Sequence, residues 1–146
     1  MFTLRSATRQ DAPAIRRLIY QTGINPTALD WHRFVLAVDE QGRMAGIGQV
    51  KPHRDGTCEM ASIAVVPAYR GQGVARLVIE GLLAQYSPPL YLTCRETLQP
   101  FYEKFGFRVV AAEDTPPYFR RILHIFGIYR RLTRFPDSLL VMWRES

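Results

Sequence analysis

With 146 residues, 47% hydrophobic and 22% charged, the chain can bury one core and has the composition of a soluble globular protein, which excludes an intrinsically disordered or fibrous one. Its formal charge of +6 is local: Arg120, Arg121, Arg130, Arg131 and Arg134 fall in a stretch, 115–136, that has no Asp or Glu, and without them the rest carries +1. Such a cluster fits one anionic site or one docking face. A nucleic-acid surface spreads its cations among exposed aromatics, so no nucleic-acid partner is expected.

In chain order, Met1–Arg5 lack the charged head and apolar stretch of a secretory leader, and Phe2 to Ser6 reads as a first strand. From Asp11 to Gln21, Ala12, Ile15, Leu18 and Ile19 share one helical face, with Thr8 or Asp11 as cap, Pro13 in the first turn and Gly23 as terminator. Asn25-Pro26-Thr27 can start a second short helix running to about Trp31. Phe34 to Val38 and Met44 to Lys51 read as a hairpin around Glu40–Arg43. After a turn at 52–56, the strand from Thr57 to Val66 is almost continuously apolar, as at the centre of a sheet covered on both faces.

Pro67 stops that strand, and a helix from about Gly73 to Tyr86 buries Val74, Leu77, Val78, Leu82 and Leu83. Ser87-Pro88-Pro89 breaks it. A strand at Leu90–Cys94, a helix at Leu98–Phe105 ending on Gly106, and a strand at Phe107–Val110 follow. Tyr118 to about Leu132 is an amphipathic helix weakened by Gly127, and Leu139 to Trp143 is the last strand. No repeat or linker interrupts this order, so residues 1–146 are expected to form a single domain. No apolar run reaches the roughly 18 residues of a membrane span. Cys58 and Cys94 make no disulfide framework, and no Cys/His cluster has metal-ligand spacing. The expectation is a cytoplasmic protein with neither a metal nor a membrane partner.

The most informative stretch is the central strand followed by Arg70-Gly71-Gln72-Gly73-Val74-Ala75 at the start of a helix. A pyrophosphate needs converging backbone N–H donors and a positive dipole end, and a glycine-containing turn opening a helix supplies both. Gly71 and Gly73 let the chain approach an anion without a Cβ, and Arg70 adds charge. The spacing fits neither G-x-x-x-x-G-K-[ST] nor G-x-G-x-x-G.

Arg70-x-x-Gly73-x-Ala75, after Ile63-Ala64-Val65-Val66-Pro67, resembles the acetyl-CoA motif of the GNAT superfamily of N-acetyltransferases. Phe101-Tyr102-Glu103-Lys104-Phe105-Gly106-Phe107 resembles that family's second conserved segment, and the order of elements over about residues 2–110 matches as well. The resemblance implies an α/β (α+β) GNAT fold: a central mixed, mostly antiparallel twisted sheet of about six to seven strands, flanked by about four helices. It implies acetyl-CoA as co-substrate, and direct transfer of the acetyl group to a primary amine of a small molecule or amino acid.

By the same resemblance, the backbone of Ile63, Ala64 and Val65 would bind the pantetheine arm, and the amides of Arg70, Gly71, Gln72, Gly73, Val74 and Ala75 the pyrophosphate. The Val65 amide would polarise the acetyl carbonyl. Tyr102, four residues before Gly106, matches the frequent general acid of the family; without the motif it reads as a core aromatic. Glu59, at the start of the central strand, stands where several members place a general base, acting directly or through water. It reads equally as a solvent-facing strand residue or an ion-pair partner. His53, in a turn, and His32 read as structural or exposed. One departure stands out: many members carry an Asn after the Leu90–Cys94 strand, and here the residues are Cys94-Arg95-Glu96-Thr97. Cys94 has no paired base and is not expected to be a nucleophile.

The basic tail segment has three readings: a helix packed on the sheet with solvated arginines, a wall of the acceptor site using Arg95, Arg120 or Arg121 on an acidic substrate, or a docking stripe of Ile122, Ile125, Phe126 and Tyr129. A further resemblance, to the acetyltransferase domain of N-acetylglutamate synthases, rests on residues 92–97, 101–107 and 139–141. Alternatives to the small-molecule enzyme are an acetyl-CoA-binding sensor or subunit and a protein or peptide lysine acetyltransferase. A homodimer is consistent with the family.

Overall fold

A computed structural model describes residues 1–27 and 29–145. Among them the chain forms β1 (Thr3–Ser6), α1 (Ala12–Thr22), β2 (Phe34–Val38), β3 (Met44–Pro52), β4 (Cys58–Val65), α2 (Val74–Gln85), β5 (Leu90–Arg95), α3 (Gln99–Glu103), β6 (Arg108–Val109), α4 (Pro117–Thr133) and β7 (Leu139–Arg144). The strands hydrogen-bond in the order β1-β2-β3-β4-β5-β7-β6. The β1/β2, β2/β3, β5/β7 and β6/β7 pairs are antiparallel, and β4/β5 is parallel with one register pair, Glu59 with Tyr91. This is the mixed, mostly antiparallel sheet with four helices that the sequence predicts. The chain groups into two compact units, residues 1–51 with 60–87 and residues 52–59 with 88–146.

In the first unit, Ile15, Leu18 and Ile19 of α1 pack with Phe34, Leu36 and Val38 of β2 and with Ile47 and Ala64. Helix α1 begins after Asp11 with Pro13 in its first turn and ends on Gly23, which takes the left-handed φ of 70° that glycine tolerates. Asp11 accepts two hydrogen bonds from Arg5, at 2.7 and 2.9 Å, which hold its carboxyl down at about 2. Helix α2 buries Val74, Val78, Ile79 and Leu82. It comes close to β3 because β3 carries Gly46 and Gly48, where an added Cβ would meet Val74 Cγ1 and Val78 Cγ1 at 2.5 Å.

The helix expected from Asn25 to Trp31 does not form in the described residues, and Ala28, inside it, lies outside them. Asn25 Oδ1 instead accepts from the Thr27 amide at 3.0 Å, and Asp30 Oδ1 accepts from the His32 amide at 3.1 Å to cap a 3-10 turn at Trp31–Arg33. Short Asn and Asp side chains compete for the amides a helix would use.

In the second unit, Leu90, Leu92 and Cys94 of β5 and Val141 and Met142 of β7 are buried. Helix α4 contributes the fully buried Phe119, with Ile122, Leu123 and Phe126 half-buried, whereas Ile125, Ile128, Tyr129 and Leu132 are exposed. The apolar stripe foreseen for this helix is therefore split between two faces. Arg130 closes the turn after α4 by donating to Phe135 O, Pro136 O and Ser138 Oγ. Among the described residues no helix is long and apolar enough to cross a membrane.

Candidate active site

The glycine loop lies in the first unit. After β4, the residues Pro67–Tyr69 form a 3-10 turn in which the Tyr69 amide donates to Val66 O at 2.8 Å. Gly71 and Gly73 then both adopt left-handed φ, 77° and 81°, with open space where a Cβ would stand. Gly73 is the N-cap of α2 and no side chain caps the helix. Arg70, Gly71, Gln72 and Gly73 are exposed, Val74 is buried and Ala75 half-buried. The loop thus presents a helix N-terminus with its first amides free of side-chain acceptors, which suits an anion. Arg70 supplies a cation beside it.

The turn before the loop is anchored. The Tyr69 hydroxyl donates to Asp39 Oδ2 at 2.5 Å, and Asp39 also accepts from Arg43 Nε and from the amides of Gln41 and Arg43. The Tyr69 hydrogen bond, ahead of the others, holds the Asp39 carboxyl at about 2. The ring of Phe2 meets Tyr69 edge-on at 5.5 Å.

Along β4, Ala64 points into the core of the first unit while Ile63 and Val65 are half-buried on the opposite face. Ser62, just before them, has φ of 59°, a left-handed value that costs a non-glycine residue about 1 kcal/mol. Its Oγ accepts from Gln49 Nε2 at 2.9 Å. Nothing in the local sequence signals this departure from strand geometry.

Glu59 belongs to the second unit. Its residue exposure is 7%, so the solvent-facing alternative does not describe it, and its Oε1 lies 2.8 Å from His53 Nε2. The contact partner is His53, expected to be structural or exposed. The imidazole stacks on the Tyr118 ring of α4 at 3.6 Å and 16° and meets Phe119 edge-on at 5.8 Å. The Tyr118 amide donates to Asp55 Oδ2 at 3.1 Å, while Asp55 Oδ1 accepts from the Thr57 amide and hydroxyl. Burial pushes the Tyr118 phenol up, and Glu59 adds to the shift. The sequence signal for this cluster was the turn at 52–56, which folds His53 back toward the strand that follows it. Tyr118 carried no signal, being 59 positions from Glu59 in the chain.

Tyr102, on α3, is half-buried, with its ring edge-on to Phe101 and Phe107. Burial, with Cys94 as a second cause, pushes its phenol up to about 12. Burial also raises the Cys94 thiol to about 11, which keeps it protonated at neutral pH and removes its nucleophilicity. Of the basic candidates, Arg95 lies with its guanidinium 4.9 Å over the Phe135 ring and 3.9 Å from Asp137 Oδ2. Arg120 and Arg121 are exposed on α4; the Arg120 amide donates to Pro116 O at 3.0 Å, and the Arg121 charge acts on the Tyr118 phenol.

Residues 30–109, more than half of the chain, match the family described as the acetyltransferase (GNAT) domain. The match includes Glu59, the glycine loop and Tyr102, and ends before α4. A comparison with curated protein sequences finds no significant match. Among solved structures, N-acetylglutamate synthase from Neisseria gonorrhoeae, complexed with coenzyme A and N-acetyl-glutamate, is similar with a TM-score of 0.71 and 18% identity over 100% of this chain, which spans 36% of the synthase's length. Rv2747 from Mycobacterium tuberculosis, in complex with CoA and a second ligand, has a TM-score of 0.70 at 20% identity, covering 95% of this chain and 97% of that one. The ribosomal-protein-S18-alanine N-acetyltransferase from Escherichia coli has a TM-score of 0.68 at 18% identity, covering 99% and 94%. By the match over residues 30–109, this chain belongs to the GNAT acetyltransferase domain family.

Proposed function

We propose that the chain is an acetyl-CoA-dependent N-acetyltransferase that moves the acetyl group directly to a primary amine of a small molecule or amino acid, with residues 1–146 working as one domain. The observation that carries this reading is the loop at Gly71 and Gly73: two left-handed glycines with open space above them, leading into an uncapped helix N-terminus. Gly71, Gln72, Gly73, Val74 and Ala75 would hold the pyrophosphate through their amides, with Arg70 adding charge. Ile63, Ala64 and Val65 would hold the pantetheine arm, and the Val65 amide would polarise the acetyl carbonyl.

Two proton movements remain. An alkyl ammonium, with a pKa near ~10, must lose a proton before its nitrogen can attack, and Glu59 is the base assigned to that step. Tyr102 is the group assigned to the departing thiolate. Raised to about 12, its phenol stays protonated and stabilises the thiolate by hydrogen bonding. Full transfer to a thiolate whose conjugate acid lies near ~8.5 is uphill. The solved structures of the synthase and of the S18-alanine enzyme point to amino acids and to an alanine amine as acceptors to try first. Arg120 and Arg121, exposed on α4, are the proposed contacts for an acidic acceptor.

The test is release of free CoA thiol from acetyl-CoA against amino acids, polyamines, aminoglycosides, an alanine-starting peptide and lysine peptides, with Tyr102→Phe in parallel. Turnover with one amine class, reduced roughly 100-fold in Tyr102→Phe at unchanged acetyl-CoA affinity, supports the reading. Tight acetyl-CoA binding with no turnover on any amine makes the chain a sensor or subunit. Turnover with lysine peptides alone makes it a protein acetyltransferase.

A further inference from the structure

The Glu59 carboxylate is 9% exposed at its side chain and the His53 ring 11%, a charged group and a titratable one taken out of water together. A carboxylate only accepts hydrogen bonds, so the proton in the 2.8 Å contact sits on His53 Nε2 and is donated to Glu59 Oε1. That leaves Oε2 as the oxygen free to take a proton.

The ring that donates has no freedom of its own. The His53 amide donates to Thr57 O at 2.9 Å and its carbonyl accepts from the Gly56 amide at 3.0 Å, which pins the backbone on both sides. One face of the imidazole is covered by Tyr118, and the edge of Phe119 closes another side. Tyr118 is itself tied to the same turn through Asp55. Every contact thus aims Nε2 at Glu59. A buried carboxylate needs hydrogen-bond donors facing it, and His53 Nε2 is the donor this fold supplies.

We propose that His53 is a positioning residue for Glu59: it engages Oε1 and holds the carboxylate in one rotamer, so that the proton leaving the acceptor ammonium passes to Oε2 and its electron pair stays on the attacking nitrogen. The inference rests on the assignment of Glu59 as the base. His53 does not touch the substrate in this scheme and acts only through Glu59.

Two variants separate the hydrogen bond from the packing. His53→Phe keeps a flat ring against Tyr118 and removes the donor, while His53→Gln keeps a donor and removes the ring. In protein labelled with 15N at histidine, the His53 imidazole, assigned by its absence from His53→Gln, should show a protected Nε2–H that is lost in Glu59→Leu, which has no acceptor. In CoA-release assays with the fastest amine of the panel, His53→Phe should lower kcat about tenfold or more, the scale of one hydrogen bond to a charge. The acetyl-CoA Kd should stay unchanged, His53→Gln should recover most of the rate, and His53→Phe should cause no further loss in a Glu59→Gln background.

An Nε2–H signal that is missing from the wild type or survives in Glu59→Leu overturns the inference. So does a His53→Phe effect of equal size in both backgrounds. A wild-type kcat in Glu59→Gln overturns the base assignment itself, whereas loss in Glu59→Gln with full activity in His53→Phe removes only the role of His53.

Discussion

Tyr102 and Cys94 are two titratable groups of the second unit whose protons are held by the same cause, burial, with the thiol also contributing to the shift of the phenol. For Tyr102 the consequence is functional. A phenol raised to about 12 does not lose its proton in the ordinary tyrosine range near ~10. The kcat profile against pH is therefore expected to show no alkaline fall centred near 10. A wild-type fall at that pH that disappears in Tyr102→Phe would contradict the burial seen here. For Cys94 the same shift means that alkylation with a soluble maleimide at neutral pH should be slow on the native protein and appear only after unfolding. Neither behaviour can be read from residue type: local sequence names a tyrosine and a cysteine, and only the packing around them decides where they titrate.

At the scale of elements, the glycines divide into two groups with different costs. Gly46 and Gly48 face α2, and a Cβ at Gly48 would meet Val78 Cγ1 at 2.5 Å, Ile63 Cδ1 at 2.7 Å and Leu82 Cδ1 at 3.1 Å. Gly48→Ala is expected to destabilise by about 1–3 kcal/mol through overpacking, measured by urea unfolding. Gly71 has nothing within 4 Å of the Cβ position, so Gly71→Ala meets only its positive φ and should cost about 1 kcal/mol while weakening acetyl-CoA binding. Helix α4 shows the same contrast between faces. Phe119 is fully buried and Leu132 is 81% exposed. Phe119→Ala should lose about 3–5 kcal/mol, and Leu132→Ser should change stability by less than about 0.5 kcal/mol. Thermal unfolding of the two variants side by side checks this; equal losses would mean that α4 does not pack by its Phe119 face. The helical period of residues 118–132 was legible as amphipathicity. Which side of the apolar arc turns inward was not, because Ile122 and Ile125 have the same hydropathy and differ only in what lies opposite them.

For the whole molecule, the shifted groups set a stability window in pH. Asp11 and Asp39 are held at about 2, so their stabilisation is present above the usual carboxylate range and is lost as pH falls toward 2. Cys94 and Tyr102 are raised, so their contribution is complete below the unfolded values near ~9 and ~10 and is lost as pH rises toward about 11 and 12. The urea midpoint should form a plateau at intermediate pH and fall on both sides, and Tyr102→Phe should flatten the alkaline side. An alkaline limb unchanged by that substitution would count against the buried phenol. The order and type of nearly all the elements, the glycine loop at the head of α2 and the family were legible in the chain, because hydrophobic period, Gly and Pro punctuation and a contiguous motif are local properties. Its one lost element, the helix expected from Asn25, failed to a local competitor, the side-chain acceptors of Asn25 and Asp30. Packing across the fold sets the rest: Glu59 is buried against His53 beneath Tyr118, Ser62 leaves strand geometry, and Arg95 lies over Phe135. Those outcomes depend on which residues, distant in the chain, arrive at the same place, and the chain records each of them only as an ordinary side chain.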